Sequence, residues 1–339
     1  MLATIVVLGL GVAIAVAFIG LSNRHAKARA AATGSVDPQG RLGTFDVYYR
    51  DLVRDHRDLV QPLTFTYSAS DGAPRTASVL LPAWYSRSTH PALPLVISPH
   101  GRGLTGRENL RFWGGLPAFG PFIVVSPDGQ GRKLTRYSWG WSGQIDDLAR
   151  MPTLLTDKLP WVRIDRRRIY AVGTSMGGQE TLLLVARHPH LLAGAAALDS
   201  ATDMAARYEE FPLLHGGARL QRLAREEIGG TPTSAPRAYT LRSPIAWVAA
   251  IARSGVPLHI WWSRRDRIVV DQYDESGRLY RLLKKRRPVA AVTQYAGDWA
   301  HSKEFHAGAR LPLALVELRL IRLRETIPDP DTIDRTPAR

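Results

Sequence analysis

Three residues with the side chains needed for nucleophilic catalysis occur in order along the chain: Ser175, Asp266 and His301. Ser175 is the central residue of a Gly-x-Ser-x-Gly sequence that spans 173–177. A serine hydroxyl is a poor nucleophile near neutral pH, so it needs an imidazole to take its proton and a carboxylate to orient that imidazole. The three residue types therefore predict a serine nucleophile with His301 as its base and Asp266 as the orienting acid.

The sequence around Ser175 predicts the local structure that such a nucleophile requires. An apolar run over 169–172 precedes it, and a helix-compatible stretch over 179–187 follows. A sharp turn between a strand and a helix lifts the serine oxygen above the end of the sheet. We expect strained backbone at Ser175, and glycines on both sides that let neighbouring backbone approach closely.

The acid and the base must lie at the same edge of the sheet as the serine. Asp266 comes just after the apolar run 258–262, although its neighbours are arginines and it could be a surface acid. Asp199, at the end of another predicted strand, and Asp271 are the alternative carboxylates. We prefer Asp266 because of its place in the loop after the strand.

The choice of base rests on the same argument. His301 is the first histidine after the predicted strand 289–295 and follows Gly297, whereas His306 lies about one helical turn further on. We therefore predict His301 as the base and keep His306 as its rival.

The remaining pattern predicts an α/β fold. Apolar runs alternate with helix-compatible stretches, which indicates a mostly parallel central sheet of about eight strands with helices on both faces. An antiparallel hairpin is expected around Asp71-Gly72. The segment 200–254 is long and irregular, with several prolines and glycines, and is predicted to be a small cap or lid insertion. The aromatic cluster 137–141 should wall the site or pack beneath its loop.

The segment from about Leu93 to His306 resembles the α/β-hydrolase superfamily. Within it, the sequence is similar to prolyl-oligopeptidase-like esterases, including the feruloyl-esterase and polyhydroxybutyrate-depolymerase type. The matching segments are Pro94-Leu-Val-Ile-Ser-Pro-His-Gly101, Val124-Val-Ser-Pro-Asp-Gly129, Ile164-Asp-Arg-Arg-Arg-Ile-Tyr170 and Gly173-Thr-Ser-Met-Gly-Gly178, together with the loops that carry Asp266 and His301.

The resemblance implies a role for each matching position. Ser175 would be the nucleophile, His301 the general base and acid, and Asp266 the orienting carboxylate. The backbone N–H of Met176 would stabilise the oxyanion, together with that of Arg102 or, as an alternative, Gly101. The chain departs from the His-Gly-Gly-Gly pattern of some lipases and esterases, which argues against a lipase. No cofactor and no metal is expected.

Composition limits the partners and suggests a location. The chain has 339 residues, a net charge of +15 and no cysteine, so thiolate chemistry is excluded. No nucleic-acid-binding module is recognisable, and a basic balance alone does not predict one. Residues 2–21 are uncharged and long enough to cross a bilayer, and basic residues follow them. We predict a membrane-tethered or exported, extracytoplasmic protein. Its predicted parts are an anchor or signal segment (1–22), a linker (23–43), a catalytic domain (44–326) and a flexible tail (327–339).

Taken together, these features predict a serine hydrolase acting on a small-molecule or polymer-linked carboxylic ester. The alternatives are a prolyl-oligopeptidase-like peptidase, an acyltransferase that uses the same residues, and a binding protein that has lost turnover.

Overall fold

The computed structural model describes residues 57–286, 291–306 and 310–321. Eight strands form one sheet with the spatial order β1-β2-β4-β3-β5-β6-β7-β8. Their bounds are β1 Val60–Ser68, β2 Pro74–Pro82, β3 Leu93–Ile97, β4 Ile123–Pro127, β5 Ile164–Thr174, β6 Gly194–Leu198, β7 Leu258–Ser263 and β8 Val292–Gly297.

The sheet is mixed at one side and parallel over the rest. Strand β2 pairs antiparallel with both β1 and β4, and β4, β3, β5, β6, β7 and β8 then run parallel. Gly72, with φ of 81°, forms the turn between β1 and β2, as the hairpin prediction required. The parallel strands have their carboxyl ends at one edge, which is where loops can bring distant residues together.

Helices cover both faces of the sheet. The α-helices are α1 Gly106–Leu110, α2 Leu116–Phe119, α3 Ser142–Lys158, α4 Met176–Arg187, α5 Met204–Glu210, α6 Gly217–Ile228, α7 Pro236–Arg242, α8 Val248–Arg253, α9 Ser276–Lys284, α10 Lys303–His306 and α11 Arg310–Glu317. One apolar cluster packs α3, α4, α8 and α9 on one face, and a second packs α1, α2 and α11 on the other. The central strands are consequently buried on both sides.

The segment 200–254 is mostly helical, so the expectation of an irregular stretch was wrong. It contains α5 to α8 and two short 3₁₀ turns. Pro236 is the first residue of α7. Proline is favoured at this position because the N–H that it lacks would have had no intrahelical acceptor. Apolar residues of α5, α6 and α7 form a third cluster with Met176, the residue that follows Ser175.

Two helices near the site begin after turns. Helix α9 begins at Ser276, after a turn in which Asp271 has φ of 57°. Helix α10 begins at Lys303, so His301 lies in the turn before it.

Within the described ranges, no helix is both long and apolar enough to cross a membrane. The predicted anchor (1–22), linker (23–43) and tail (327–339) lie outside the described residues.

Candidate active site

Ser175 stands at the tip of the turn between β5 and α4. Its backbone has φ of 58° and ψ of −123°, a strained conformation for a residue with a side chain. The Ser175 N–H donates to Leu198 O (2.9 Å), and its carbonyl accepts from the Gln179 N–H (3.0 Å). These two backbone bonds hold the strained turn against β6 and the start of α4. The side chain is partly exposed, although every residue beside it is buried.

The two glycines of the motif make this turn possible. A Cβ at Gly173 would lie 2.4 Å from Gly177 O, and a Cβ at Gly177 would lie 2.1 Å from Pro99 O. Both distances are too short for any side chain. The turn therefore packs as bare backbone against the loop that follows β3, as the sequence predicted.

Asp266 and His301 meet at the same edge of the sheet. The His301 Nδ1 and the Asp266 Oδ2 are 2.7 Å apart, in a bond that leaves Nε2 of the ring free of the acid. Asp266 Oδ1 accepts the backbone N–H groups of Ile268 (2.8 Å) and Val269 (3.0 Å). Gln272 donates to Oδ2 at 3.2 Å. The Asp266 side chain is fully buried, so its position is fixed by its own loop.

The loops that carry the pair are tied to each other. The Ser263 hydroxyl, at the end of β7, donates to Trp299 O (2.5 Å) and accepts the Trp299 N–H (2.8 Å). The Arg264 N–H donates to Gly297 O at 2.8 Å. The Ser263 side chain therefore bonds to the backbone just beyond the end of β8, and it holds the segment that leads to His301.

The structure thus shows a hydrogen bond between His301 and Asp266. Within the described residues, the Ser175 hydroxyl makes no hydrogen bond. Catalytic hydrogen bonds are often long before a substrate binds. Proton transfer from Ser175 to His301 stays a prediction.

The rival residues have other surroundings. Asp271 is exposed and accepts the Asp274 N–H. The His306 ring stacks on Phe112 at a centroid distance of 3.9 Å. Burial and the nearby His301 lower the pKa of His306 to about 4. Neither residue has the contacts that an orienting acid or a general base requires.

Asp199, the third carboxylate considered, is buried beside the pair. Its oxygens accept the Trp299 Nε1–H at 2.9 and 3.1 Å, and Oδ2 accepts the Ser302 N–H at 2.8 Å. Burial raises the pKa of Asp199 to about 7; Asp266 raises it further and His301 opposes the shift. Asp199 therefore holds the backbone around His301 without bonding to its ring.

Within the described residues, the backbone amides predicted as oxyanion donors have no protein acceptor. Met176 opens α4, and the first N–H groups of a helix have no intrahelical partner. No described residue accepts the N–H of Arg102 or that of Gly101, whereas the amides of Gly103 and Leu104 donate to Arg136 O and Gly101 O. Arg102 stays the predicted second donor and Gly101 its alternative.

His100 holds the loop that presents Arg102. Its Nε2 accepts the Gly129 N–H at 2.6 Å, so Nδ1 carries the proton and donates to Gly101 O at 2.8 Å. Burial lowers the pKa of His100, which keeps the ring neutral. His100 therefore has a structural role in this loop.

A small cavity opens at Ser175. Its volume is about 20 Å³, room for one water-sized molecule. Trp139, Phe211 and Val269 contribute apolar walls, and Arg102 and Arg207 contribute charge. Trp139 also packs against Phe211 of the 200–254 segment, so the aromatic cluster both lines the site and supports the loop.

No protein-family model and no curated protein sequence matches the chain. Solved structures do. Acylaminoacyl peptidase of Pyrococcus horikoshii aligns with a TM-score of 0.58 at 16% identity over 81% of this chain, which spans only 44% of that protein. A ferulic acid esterase aligns with a TM-score of 0.55 at 15% identity, over 78% of this chain and 98% of its own. S-formylglutathione hydrolase from Agrobacterium tumefaciens aligns with a TM-score of 0.58 at 15% identity, over 78% and 96% respectively. The chain has the α/β-hydrolase fold.

The α/β-hydrolase fold places the carboxyl ends of β5, β7 and β8 at one edge of the sheet, with β6 between β5 and β7, and it thereby brings the predicted residues to that edge. Three potential ligand atoms, from Asp199, Asp266 and His301, lie within 4.8 Å of one another. Each of them already bonds to the protein, so a cation here would displace the bond between His301 and Asp266.

The 200–254 segment of this α/β-hydrolase fold is fastened to the loop that carries Trp139. Glu227, on α6, accepts the consecutive N–H groups of Arg132, Lys133 (2.7 Å) and Leu134 (2.8 Å). Arg242 pairs with Glu227 at 3.4 Å and donates to Ser138 O. The loop that carries Trp139 and the segment that carries Phe211 both line the cavity, and these contacts hold the two together.

Sequence reasoning missed several residues that support the site. Gln272 and Ser302 bond to Asp266 and Asp199, but a polar residue in a loop gives no signal of its partner. Arg207 was missed too, because one arginine in a basic chain is not distinctive. Asp199 was considered only as an alternative orienting acid. Its position directly after a buried strand was the sequence feature that pointed to a place near the site.

Proposed function

We propose that this chain is a serine hydrolase and that it cleaves a carboxylic ester through an acyl-enzyme formed on Ser175. The observation that carries the proposal is the bonded pair of His301 and Asp266 at the edge of the sheet where the strained Ser175 stands. A strained serine at such a turn is typical of nucleophiles in this fold.

The first half-reaction transfers the acyl group to the enzyme. The Ser175 Oγ attacks the ester carbonyl carbon while its proton moves to His301 Nε2. The Asp266 carboxylate orients the ring and stabilises the imidazolium. The Met176 and Arg102 amides donate to the carbonyl oxygen as it becomes negative. When the tetrahedral intermediate collapses, the C–O bond to the alcohol breaks and His301 returns the proton to that oxygen.

The second half-reaction restores the enzyme. A water molecule attacks the acyl-enzyme carbonyl and gives its proton to His301. The bond between the acyl carbon and Ser175 Oγ then breaks, and the proton returns to the serine. The products are a carboxylic acid and free Ser175.

Ester cleavage is favoured over peptide cleavage by two observations. The chain spans almost the full length of the ferulic acid esterase but only 44% of the acylaminoacyl peptidase. An aminopeptidase would also need acidic residues free to bind the substrate amine. The adjacent acids Glu209 and Glu210 do not provide such a pair, because Glu210 bonds to Arg207 at 2.7 Å and Glu209 is exposed.

The test is covalent labelling. A fluorophosphonate probe should form one adduct, and mass spectrometry should map it to Ser175. Ser175→Ala should abolish both labelling and p-nitrophenyl acetate hydrolysis while leaving the thermal unfolding curve intact. The exposed Ser88 provides a control, since Ser88→Ala should change neither. An adduct on another residue, or full turnover by Ser175→Ala, would reject the proposal.

We also propose that residues 2–21 tether the protein to a membrane or direct its export. The run of uncharged residues followed by basic ones supports this. The full chain should sediment with membranes after carbonate extraction if it is anchored, and it should lose the segment if it is exported. An intact chain recovered entirely in the soluble fraction would contradict both versions.

A further inference from the structure

The cavity at Ser175 carries an unbalanced positive charge. Arg102 and Arg207 both line it, and within the described residues its lining includes no carboxylate. Two guanidinium groups repel each other unless something negative lies between them or beside them. The partners of each arginine therefore decide whether the charge is already neutralised.

Arg207 is neutralised inside the protein. Its Nη1 bonds to Glu210 Oε2 at 2.7 Å, its Nη2 donates to Ile268 O, and its guanidinium lies 5.1 Å from the centre of the Phe211 ring. Only 4% of the side chain is exposed. Arg207 is thus a structural cation that holds the cavity wall.

Arg102 is not neutralised. Within the described residues its guanidinium has no hydrogen bond and no ion pair. Burial and the neighbouring Arg207 lower the pKa of Arg102, and Tyr137 opposes the shift. A guanidinium has five N–H donors in a fixed fork that matches a carboxylate. A partly buried arginine without a partner, next to a nucleophile, has the chemistry of a binding group waiting for an anion.

We infer that the ester cleaved at Ser175 carries a carboxylate, and that the Arg102 side chain binds it. This inference rests on the proposed serine hydrolase function and adds its substrate class. The backbone N–H of Arg102 is a proposed oxyanion donor, so the same residue would bind the ester carbonyl with its amide and the carboxylate with its side chain.

The geometry also limits the distance between the two groups. One residue carries both the proposed oxyanion donor and the guanidinium. A substrate that contacts both groups therefore needs only a short chain between its ester and its carboxylate. The described contacts place Arg102 on neither side of the ester, so the test includes a carboxylate on the acyl part and one on the alcohol part.

The experiment compares esters that differ only in charge. Monoethyl succinate is paired with ethyl succinamate for the acyl side, and O-acetylglycolate with O-acetylglycolamide for the alcohol side. In at least one pair the full-length wild-type protein should show kcat/KM about ten- to a hundredfold higher for the carboxylate, as a charge-assisted hydrogen bond to a fork of donors provides. The preference should weaken as salt is added, because the pair is partly exposed.

Variants then assign the preference to one side chain. Arg102→Gln should bring the ratio of the two kcat/KM values close to one, and Arg102→Lys should retain part of it. Arg107→Gln is the matched control, because Arg107 is exposed, lines a different groove and carries the same charge. It should leave the ratio unchanged.

The outcomes separate this inference from the function on which it rests. Wild-type ratios of one or below in both pairs, or an undiminished ratio in Arg102→Gln, would overturn the role of Arg102 even if every ester is hydrolysed. Should Arg102→Gln fail to fold, the wild-type ratios and Arg102→Lys still decide. Absence of hydrolysis of all four esters, together with absence of fluorophosphonate labelling at Ser175, would instead refute the serine hydrolase itself.

Discussion

The carboxyl ends of β6 and β7 each place a buried aspartate near His301, and the two aspartates bond to different things. Asp266, after β7, receives two amides from its own loop on Oδ1 and offers Oδ2 to the imidazole. Among the described residues, the Asp199 carboxylate, after β6, accepts donors only from the loop that carries His301, namely the Trp299 indole and the Ser302 amide.

This difference separates orientation of the ring from positioning of the loop. A carboxylate on Nδ1 fixes which nitrogen carries the proton, so it acts on the proton transfer itself. A carboxylate on the backbone fixes where the loop lies and reaches the ring only through that loop and through its charge. Proximity to a histidine therefore does not identify an orienting acid; the bonded atom does.

The largest effect should come from Asp266→Asn. The amides of Ile268 and Val269 need an acceptor, so the asparagine oxygen should face them and its NH₂ should face His301. Nδ1 must then accept, Nε2 must carry the proton, and the ring can no longer take one from Ser175. We expect kcat for p-nitrophenyl acetate to fall by about 10³- to 10⁴-fold. A loss below tenfold in a folded variant would mean that Asp266 does not set the tautomer.

A large effect on stability should distinguish Asp199. Its pKa of about 7 in the folded protein lies above the value of 3.8 expected in the unfolded chain. The folded state therefore holds a proton that the unfolded state has released between about pH 4 and pH 7, and Asp199 loses its stabilising effect as the pH rises through that window. The full difference corresponds to about 4 kcal/mol at most.

Asp199→Asn isolates this contribution from other buried acids, such as Glu180 and Glu275, whose pKa values burial also raises to about 7. The unfolding free energy of the wild type relative to Asp199→Asn should fall as the pH rises from 4 to 7, as urea titrations at several pH values would measure. A constant difference would show that Asp199 titrates normally.

The same variant should have a small effect on turnover. Asp199→Asn keeps an acceptor for the Trp299 and Ser302 donors and leaves the bond between His301 and Asp266 intact. We expect kcat at neutral pH to fall by about tenfold or less. If its loss equals that of Asp266→Asn, then Asp199 shares the orienting role and the distinction between the two acids fails.

The smallest effect should come from the contact that links the loop of His301 to β5. Thr174 Oγ1 and Ser302 Oγ are 2.9 Å apart in a buried position. Thr174→Val removes one hydroxyl without changing the shape of the side chain, and it should cost about 1 kcal/mol of unfolding free energy. Because neither aspartate is touched, kcat should stay within about twofold. A larger loss of turnover would show that this hydroxyl pair also sets the position of His301.

The parts of the fold that sequence predicted are those encoded locally. The strand, glycine turn and helix around Ser175 occupy consecutive residues. The strands β3, β4 and β7 are largely apolar runs, a pattern that by itself predicts burial on both faces. The position of each residue just after a predicted strand was enough to predict that Asp266 and His301 lie close together. These predictions required no knowledge of which loops touch.

The parts that sequence did not predict depend on distant contacts. Helices α6 and α7 begin at Gly217 and Pro236, residue types that also occur in loops. Their side chains Glu227 and Arg242 hold them to a loop about a hundred residues earlier in the chain. The sequence left Asp199, at a strand end, and Asp271 as alternatives to Asp266, and it showed the partners of neither. Only the buried donors around Asp199 and the exposure of Asp271 distinguish them.

The bare contact between Gly177 and Pro99 O has a consequence for how such a site could diversify. It spaces the turn of the nucleophile from the loop of Arg102 by main chain alone, so exchanging side chains nearby does not alter that spacing. A library that randomises position 102 would sample new substrate preferences over an unchanged cradle for the reacting carbonyl. Substitutions at position 102 would therefore change which substrates bind, while the backbone around the reacting carbonyl keeps its geometry.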